Sequence, residues 1–344
     1  MIENDPSPLP LPADWSGLSH MAACVSDDPE LQAVRTHLTA LDPSGRRFAK
    51  VLRNTIDQLL DGENTGRFDW QQLHKTEKTH AGTLVEINLQ REFGFPDGQD
   101  LDYCLAGYEV DCKYSQKLYG WMIPPEALGE ICLVVWASDA TSQWSAGLFR
   151  ANREKLTTSG TKTKKGNRDG KFQLTKQLHS SVHWIWEKEQ LVENLLLHIS
   201  AETREQIMNP ASSKGKKSGA ARVREVFRRV PQRQINRNVV RTLAQQSDYM
   251  KRVRYNGGAR TSLQSEGIII LGDYTVHRNV ARGLRVPVPE DGCFVSVRVA
   301  RRRSHHGDSP TAHIDGVDWV VASGDDPQET APKLPEPKNE AVDS

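Results

Sequence analysis

Apolar residues recur at helical spacing early in the chain: Leu31, Val34 and Leu38, then, after Pro43, Phe48, Val51, Leu52, Ile56, Leu59 and Leu60. Gly62 ends the second run, and residues 63–72 form a polar turn holding Phe68 and Trp70. The spacing predicts a third helix over 76–94, with Leu84, Val85, Ile87 and Leu89 apolar, Glu86 interrupting them, and Gly94 as the C-cap. The period then changes. Residues 101–105 and 108–115 are rich in aromatic and β-branched types and predict two short strands joined at Ala106-Gly107. After a glycine and proline loop over 120–129, the unbroken apolar run 131–137 (ICLVVWA) predicts a central strand. Residues 143–148 suit a further strand or loop, and the polar, basic 157–171 suits a mobile loop. Strands flanked by helices argue for an α/β layered domain over 26–187, after a disordered or loosely attached 1–25.

Beyond it the strand character fades. Leu191, Val192, Leu195, Leu196 and Ile199 predict a helix or two within 188–211, and SSKGKKSG at 212–219 reads as a flexible basic linker. A helix over 221–230 follows, with Val223, Val226 and Phe227 inward and Arg222, Arg224, Arg228 and Arg229 outward. Residues 231–235 make a turn, and Asn236 caps a longer helix reaching about Arg254 through Val239, Val240, Leu243 and Met250. That is the order of a helix-turn-helix, and strands at 267–271 and 294–299 would add a β wing. The second domain is placed at 188–303. The remainder, 304–344, is acidic and Pro-rich and reads as largely disordered, although 313–323 suits a strand and His305-His306 suits a solvated tail better than a metal site.

Charge sharpens this division. The net charge of +1 is the sum of −5 over 1–187, +13 over 188–303 and −7 over 304–344. A basic block beside an acidic tail is a polyanion-binding footprint. Between 214 and 260 there are 14 basic and 2 acidic residues, which points to DNA contact through Lys216, Lys217, Arg228, Arg229, Arg233, Arg237, Arg241, Lys251, Arg252, Arg254 and Arg260. Arg233, Arg237 and Arg241 are four apart and would share one helix face. No run approaches the roughly 18–20 apolar residues of a membrane span. The amino terminus lacks the basic start and apolar core of a secretory signal, and five cysteines without zinc-ligand spacing read as reduced thiols of a cytoplasmic protein.

The candidate chemistry lies in the predicted hairpin, LDYCLAGYEVDCKYSQ. With a two-residue turn, Tyr103 faces Val110 and Asp102 faces Asp111, their Cβ atoms roughly 4.5–5.5 Å apart. Two facing carboxylates repel unless something positive lies between them. Alternation puts Lys113 on the face of Asp111, with Val110, Cys112 and Tyr114 pointing into a core. The set suits Mg²⁺, which takes one or two carboxylates plus waters and phosphate oxygens. An exposed, charged hairpin would show the same pattern.

The order LHKTEKTHAGTLVEINLQREF, LDYCLAGYEVDCKYS, GWMIPPEALGEICLV and then a basic helix-turn-helix resembles the NaeI family of type IIE restriction endonucleases over roughly 28–303. The resemblance implies an amino-terminal PD-(D/E)xK nuclease domain and a carboxy-terminal winged-helix domain that binds a second DNA copy as effector. It assigns Asp102 and Asp111 as the motif's carboxylates and Lys113 as its lysine, with Glu86 on the preceding helix; Leu101 stands where the motif has proline. It further implies that Asp102, Asp111 and the Cys112 carbonyl hold Mg²⁺, joined by Glu86, and that Lys113 positions or deprotonates the attacking water. Products would carry 5′-phosphate and 3′-hydroxyl ends. Family members act as homodimers on double-stranded GCCGGC, a two-fold enzyme on a two-fold site. A strand-nicking mismatch-repair endonuclease and a winged-helix transcription regulator are the competing readings.

Overall fold

The computed structural model describes residues 28–158, 170–211 and 218–334. Expectations for 1–25, for most of the 157–171 loop and for Lys216 and Lys217 fall outside them. Helix α1 (Pro29–Leu41) starts at a proline, and its first turn is capped by Asp28, whose carboxylate accepts the Leu31 N–H at 3.0 Å. Helix α2 (Arg46–Leu60) follows Gly45, which has φ +69° and whose missing Cβ would stand 2.8 Å from both Trp144 and Trp186. Glycine is required there for backbone and space alike. A single turn, α3 (Gly62–Thr65), precedes α4 (Lys75–Phe93), which Gly94 closes in the left-handed conformation as its pattern predicts.

The hairpin has the predicted register. Strand β1 (Tyr103–Leu105) pairs antiparallel with β2 (Tyr108–Ser115), Tyr103 opposite Val110 and Leu105 opposite Tyr108. The loop beyond contains β3 (Met122–Ile123), and β4 (Ile131–Ser138) then runs parallel to β2 with Asp111 beside Cys132. Strand β5 (Gln143–Arg150), the short α5 (Arg153–Thr158), β6 (Phe172–Gln173, paired with β3) and β7 (His183–Gln190) complete a sheet of order β1-β2-β4-β5-β7. The sheet therefore extends three residues past Glu187. Apolar side chains fill both its faces, as the unbroken run of β4 requires: Phe48, Leu52, Val85, Leu89 and Leu133 on the helical side, Trp121, Val134, Phe149 and Leu174 on the other.

The second half departs further from expectation. Between 188 and 211 only α6 (Ala201–Met208) is helical. Helix α7 (Ser218–Arg229) starts inside the expected linker, and Arg222 points inward, donating to the Leu243 carbonyl at 2.7 Å. A strand, β8 (Ile235–Asn236), occupies the expected turn. Helix α8 (Arg237–Ala244) ends ten residues early because Gln245 turns left-handed at φ 49°; Tyr249–Arg252 is a separate 3-10 turn. Then come α9 (Ala259–Gln264), β9 (Ile268–Leu271), α10 (Thr275–Leu284) and β10 (Cys293–Arg301). Strands β8 and β9 both pair with β10. Helix α10 interrupts the expected wing, burying His277, Val280, Ala281 and Leu284.

The acidic tail is ordered as far as it is described, contrary to its composition. Strands β11 (Thr311–Ile314) and β12 (Val317–Val321) meet at an Asp315-Gly316 turn, and β12 pairs with β10. The chain then returns over α9: the Ala331 N–H donates to Gln264 O, and the Leu334 N–H to the Tyr255 hydroxyl, both at 2.8 Å. Ala331 and Leu334 are buried in the second half's core. His305 and His306 are not simply solvated, since both ring Nε2 atoms reach Asp326 Oδ1 at 3.1 and 3.0 Å. The Arg303 N–H donates to His306 Nδ1, so Nε2 carries the proton and donates to the carboxylate, which disfavours a metal there. Backbone and hydroxyl donors of Ser323 hold the Asp326 carboxyl well below the usual range. Among the described residues no helix is long and apolar enough to cross a membrane. Cys104, Cys112, Cys132 and Cys293 are free thiols, Cys104 only half-buried.

The halves are joined by polar contacts. Arg53 is buried between Asp57 and Asp139; Asp139 also accepts from Asn194 at 2.9 Å, and Asp57 from Asn238 of α8. Beside this network α3 lies against α8, around a cavity of about 340 Å³ lined by Asn54, Gln58, Asn236 and Thr242 among others. A Cβ at Gly62 would stand 2.1 Å from Thr242 Oγ1. Gly62→Ala should therefore cost about 1–3 kcal/mol through overpacking, and adding Thr242→Ala should recover part of it. Urea melts of the two single variants and the double variant measure that coupling.

Candidate active site

Three elements bring the predicted acidic residues together. Asp102 immediately precedes β1, and its Oδ2 accepts the Cys112 N–H at 2.6 Å, which fixes it against β2. Asp111, 4% exposed, sits within β2, and Lys113 follows it on the same face. The Lys113 Nζ donates to Asp111 Oδ1 at 2.5 Å and to the Cys112 carbonyl at 3.2 Å, with Asp102 Oδ2 at 3.8 Å. Both carboxylates and the carbonyl thus converge on one cationic point, as the strand alternation requires.

Glu86 lies half-buried on α4. Tyr103 holds that turn of the helix: its hydroxyl, on a fully buried ring, donates to the Glu86 carbonyl at 2.8 Å. Burial, then the charge of Asp102, raises the Glu86 carboxyl above the ordinary value. Burial also raises Asp111, with Lys113 opposing. Burial works against the Lys113 ammonium, but Asp111 and Asp102 outweigh it and its pKa rises. The four groups therefore form one electrostatic unit. Two neighbours were not singled out from sequence. Cys132 on β4 directs its thiol to Asp111 Oδ2 at 3.8 Å, and Glu126, just before β4, adds a further negative charge felt by Asp111. The parallel pairing of β2 with β4 brings them in, and no local pattern marks it.

Two carboxylates and a carbonyl around one point are a hard, all-oxygen donor set, which fits Mg²⁺. Among the described residues Asp102 Oδ1 has no donor on it, and the side chain of Lys113 is 24% exposed.

The expected DNA-contact residues are scattered. Arg228 pairs with Glu266 at 2.7 Å and with Glu225, and Arg229 with Glu225 at 2.7 Å. Arg233 lies before α8 and forks onto Glu193 at 2.8 Å. Arg237 reaches Asp273 at 3.1 Å, and Arg241 reaches Glu63 of α3 at 3.4 Å while lying over the Tyr249 ring. These last three do not share one helix face; each is turned to a carboxylate on a different element. Arg252 donates to Gln246 at 2.8 Å. Arg260 is 5% exposed and donates to the Ile270 carbonyl, so it braces β9 and leaves the contact set. Lys251 and Arg254 are exposed and form no ion pair among the described residues.

Residues 32–330 match the family described as Restriction endonuclease NaeI. The chain is also 50% identical over 310 residues to the type II restriction enzyme NaeI of Lentzea aerocolonigenes, covering 90% of this chain and 95% of that one. The chain belongs to the NaeI restriction endonuclease family.

Because the Tyr103 hydroxyl ties α4 to the hairpin, Tyr103→Phe should cost about 0.5–1.5 kcal/mol of stability. Denaturant unfolding of the purified variant measures it.

Proposed function

We propose that this protein is a type II restriction endonuclease, hydrolysing both strands of a palindromic DNA site with Mg²⁺ as cofactor. The observation that carries the reading is the convergence of Asp111 Oδ1, the Cys112 carbonyl and Asp102 Oδ2 on Lys113 Nζ. In a family of restriction endonucleases, this cluster is the part of the chain equipped to act on a phosphodiester.

The first half is read as a PD-(D/E)xK nuclease domain, supported by the helix that presents Glu86 and by the hairpin that presents the other three residues. Asp102, Asp111 and the Cys112 carbonyl would hold the metal, with Glu86 completing the set. When bound, Mg²⁺ supplies charge neutralisation at the phosphoryl group and a more acidic water. Lys113 donates from its ammonium into the same space, where it orients the nucleophile and offsets phosphate charge. Tyr103 keeps Glu86 in register. The products are 5′-phosphate and 3′-hydroxyl ends. The family's GCCGGC is the first site to test, and a homodimer matches its two-fold symmetry.

The second half is read as a winged-helix domain carrying an effector duplex. Its order of helix, short strand, two helices and a strand, then α10 and a longer strand, with β8 and β9 both on β10, supports this despite the inserted helix. Within such an arrangement the second and third helices are α8 and α9. Helix α8 is docked on the first half through Asp57–Asn238 and Glu63–Arg241, so the preferred phosphate contacts are Lys251 and Arg254, which lie between α8 and α9 in the chain, are exposed and form no ion pair among the described residues.

Asp111→Ala should bring Mg²⁺-dependent cleavage to background while specific duplex binding, measured with Ca²⁺ in place of Mg²⁺, stays within about threefold of wild type. Retained cutting would remove the proposed site.

A short duplex bearing the site, added in trans, should accelerate cleavage of a poorly cut site. A coupling of about 1–3 kcal/mol corresponds to roughly 5–150-fold in affinity. Replacing Lys251 and Arg254 by Gln should weaken that activation and lower the salt slope of DNA binding by about 2. Cleavage rate against effector concentration, with binding measured over a range of salt, tests both; a rate that never rises leaves the second half as a grip on substrate.

A further inference from the structure

Asp102 stands outside any regular strand, at the end of an irregular segment that leaves α4 and turns back into β1. Something must hold that segment, because Asp102 and Asp111 repel each other and a free loop would relax the pair apart. Only part of the anchoring comes from the loop's own backbone, through the Cys104 N–H to the Pro96 carbonyl at 3.0 Å. The Asp102 carboxylate is itself held by the Cys112 N–H at 2.6 Å, and the three residues that lead into it are held by one side chain across the hairpin. Glu109 Oε1 accepts the Gln99 N–H at 2.8 Å, and Oε2 accepts those of Asp100 at 3.1 Å and Leu101 at 2.8 Å. Three consecutive amides thus close on one carboxylate, an anion nest formed by the residues that lead into Asp102.

Glu109 lies on β2 opposite Cys104 and two residues before Asp111, so one strand carries both the metal-facing carboxylate and the clamp. The fit is tight. A Cβ at Gly98 would stand 2.7 Å from Glu109 Oε2 and 2.4 Å from the Leu101 carbonyl. Both oxygens of Glu109 are engaged by backbone N–H donors, the geometry of a side chain that holds a loop. Glutamine cannot replace it, since one oxygen would become an NH₂ group facing an N–H donor.

We infer that Glu109 is a positioning residue for metal binding: it clamps the backbone of residues 99–101 and so sets where Asp102 stands against Asp111. The inference rests on the proposed role of Asp102 as a ligand. It is tested on the full chain with Glu109→Gln. Mn²⁺ affinity is read from the electron paramagnetic resonance of the free ion, with the duplex bound. The loop is read without metal from amide exchange at Gln99, Asp100 and Leu101.

The expected result is a rise of about 10–100-fold in the Mn²⁺ dissociation constant, in the range of lost supporting contacts around a metal, with faster exchange at the three amides and unchanged duplex affinity. A merely structural loss would lower the folded fraction and leave the affinity of folded molecules unchanged. If Glu109→Gln does not fold, Gly98→Ala disturbs the same clamp from the other side and should weaken Mn²⁺ likewise. Wild-type Mn²⁺ affinity in a folded variant whose loop amides exchange faster would overturn the inference, as would unchanged exchange. The reading of the site itself fails separately, if Asp111→Ala binds Mn²⁺ and cuts like wild type.

Discussion

Two carboxylates held face to face are the constraint around which the first half is arranged. Two unit charges roughly 5 Å apart at an effective dielectric of about 20 repel by on the order of 3 kcal/mol. The hairpin register enforces that proximity, and Lys113 relieves it from within the same strand. The Cys112 N–H binds one carboxylate, and burial of Asp111 against Cys132 of β4 confines the other. Lys113 and the Cys112 N–H come from β2 and the cover from β4, so the cluster exists only when the hairpin and the central strand are packed together. On the proposed reading, a donor set under such repulsion is ready for a doubly charged ion, because the cost of gathering the carboxylates has been met by folding.

Charge in the second half is distributed by a different logic. A segment of +13 suggests a broad positive face. Much of that charge is instead matched locally: Glu225 and Glu266 take Arg228 and Arg229, Glu193 takes Arg233, Asp273 takes Arg237, and Glu63 of the first half takes Arg241. Sequence charge counts the cations and leaves out where their partners lie. Lys251 and Arg254 are among the exposed cations left without an ion pair among the described residues, as are Arg282, Arg285, Arg301 and Arg302. Arg241 and Asn238 also show that α8 serves as a joint between the halves, which restricts how much of it a duplex can touch.

The parts of the fold legible in the sequence were those governed by local pattern. Apolar periodicity marks α1, α2 and α4, the unbroken run marks β4, and the turn at Ala106-Gly107 fixes a register that puts Asp102, Asp111 and Lys113 in contact. What stayed hidden depends on partners far along the chain. The clamp of Glu109 on the 99–101 amides and the approach of Cys132 to Asp111 come from strand pairing, and no residue spacing announces them. Helix α10 has a readable pattern in His277, Val280, Ala281 and Leu284, set between two strands whose spacing alone resembles a wing. The acidic tail misled through composition: its few apolar residues, Ala331 and Leu334 among them, are enough because they enter a core built by others.

That last contact sets an order in time. The first half's core needs nothing beyond Leu191, and the cluster around α8 nothing beyond Phe294, whereas the cluster around α10 cannot close before Leu334 has been made and has folded back over α9. At about 5–20 residues per second, translating the stretch between Leu191 and Leu334 takes roughly 7–30 s. For that interval a nascent chain carries a finished carboxylate and lysine cluster while its basic half is still incomplete. The partner surface of α3, including Glu63 and the space above Gly62, is bare meanwhile, and α8 arrives there only as the younger half condenses.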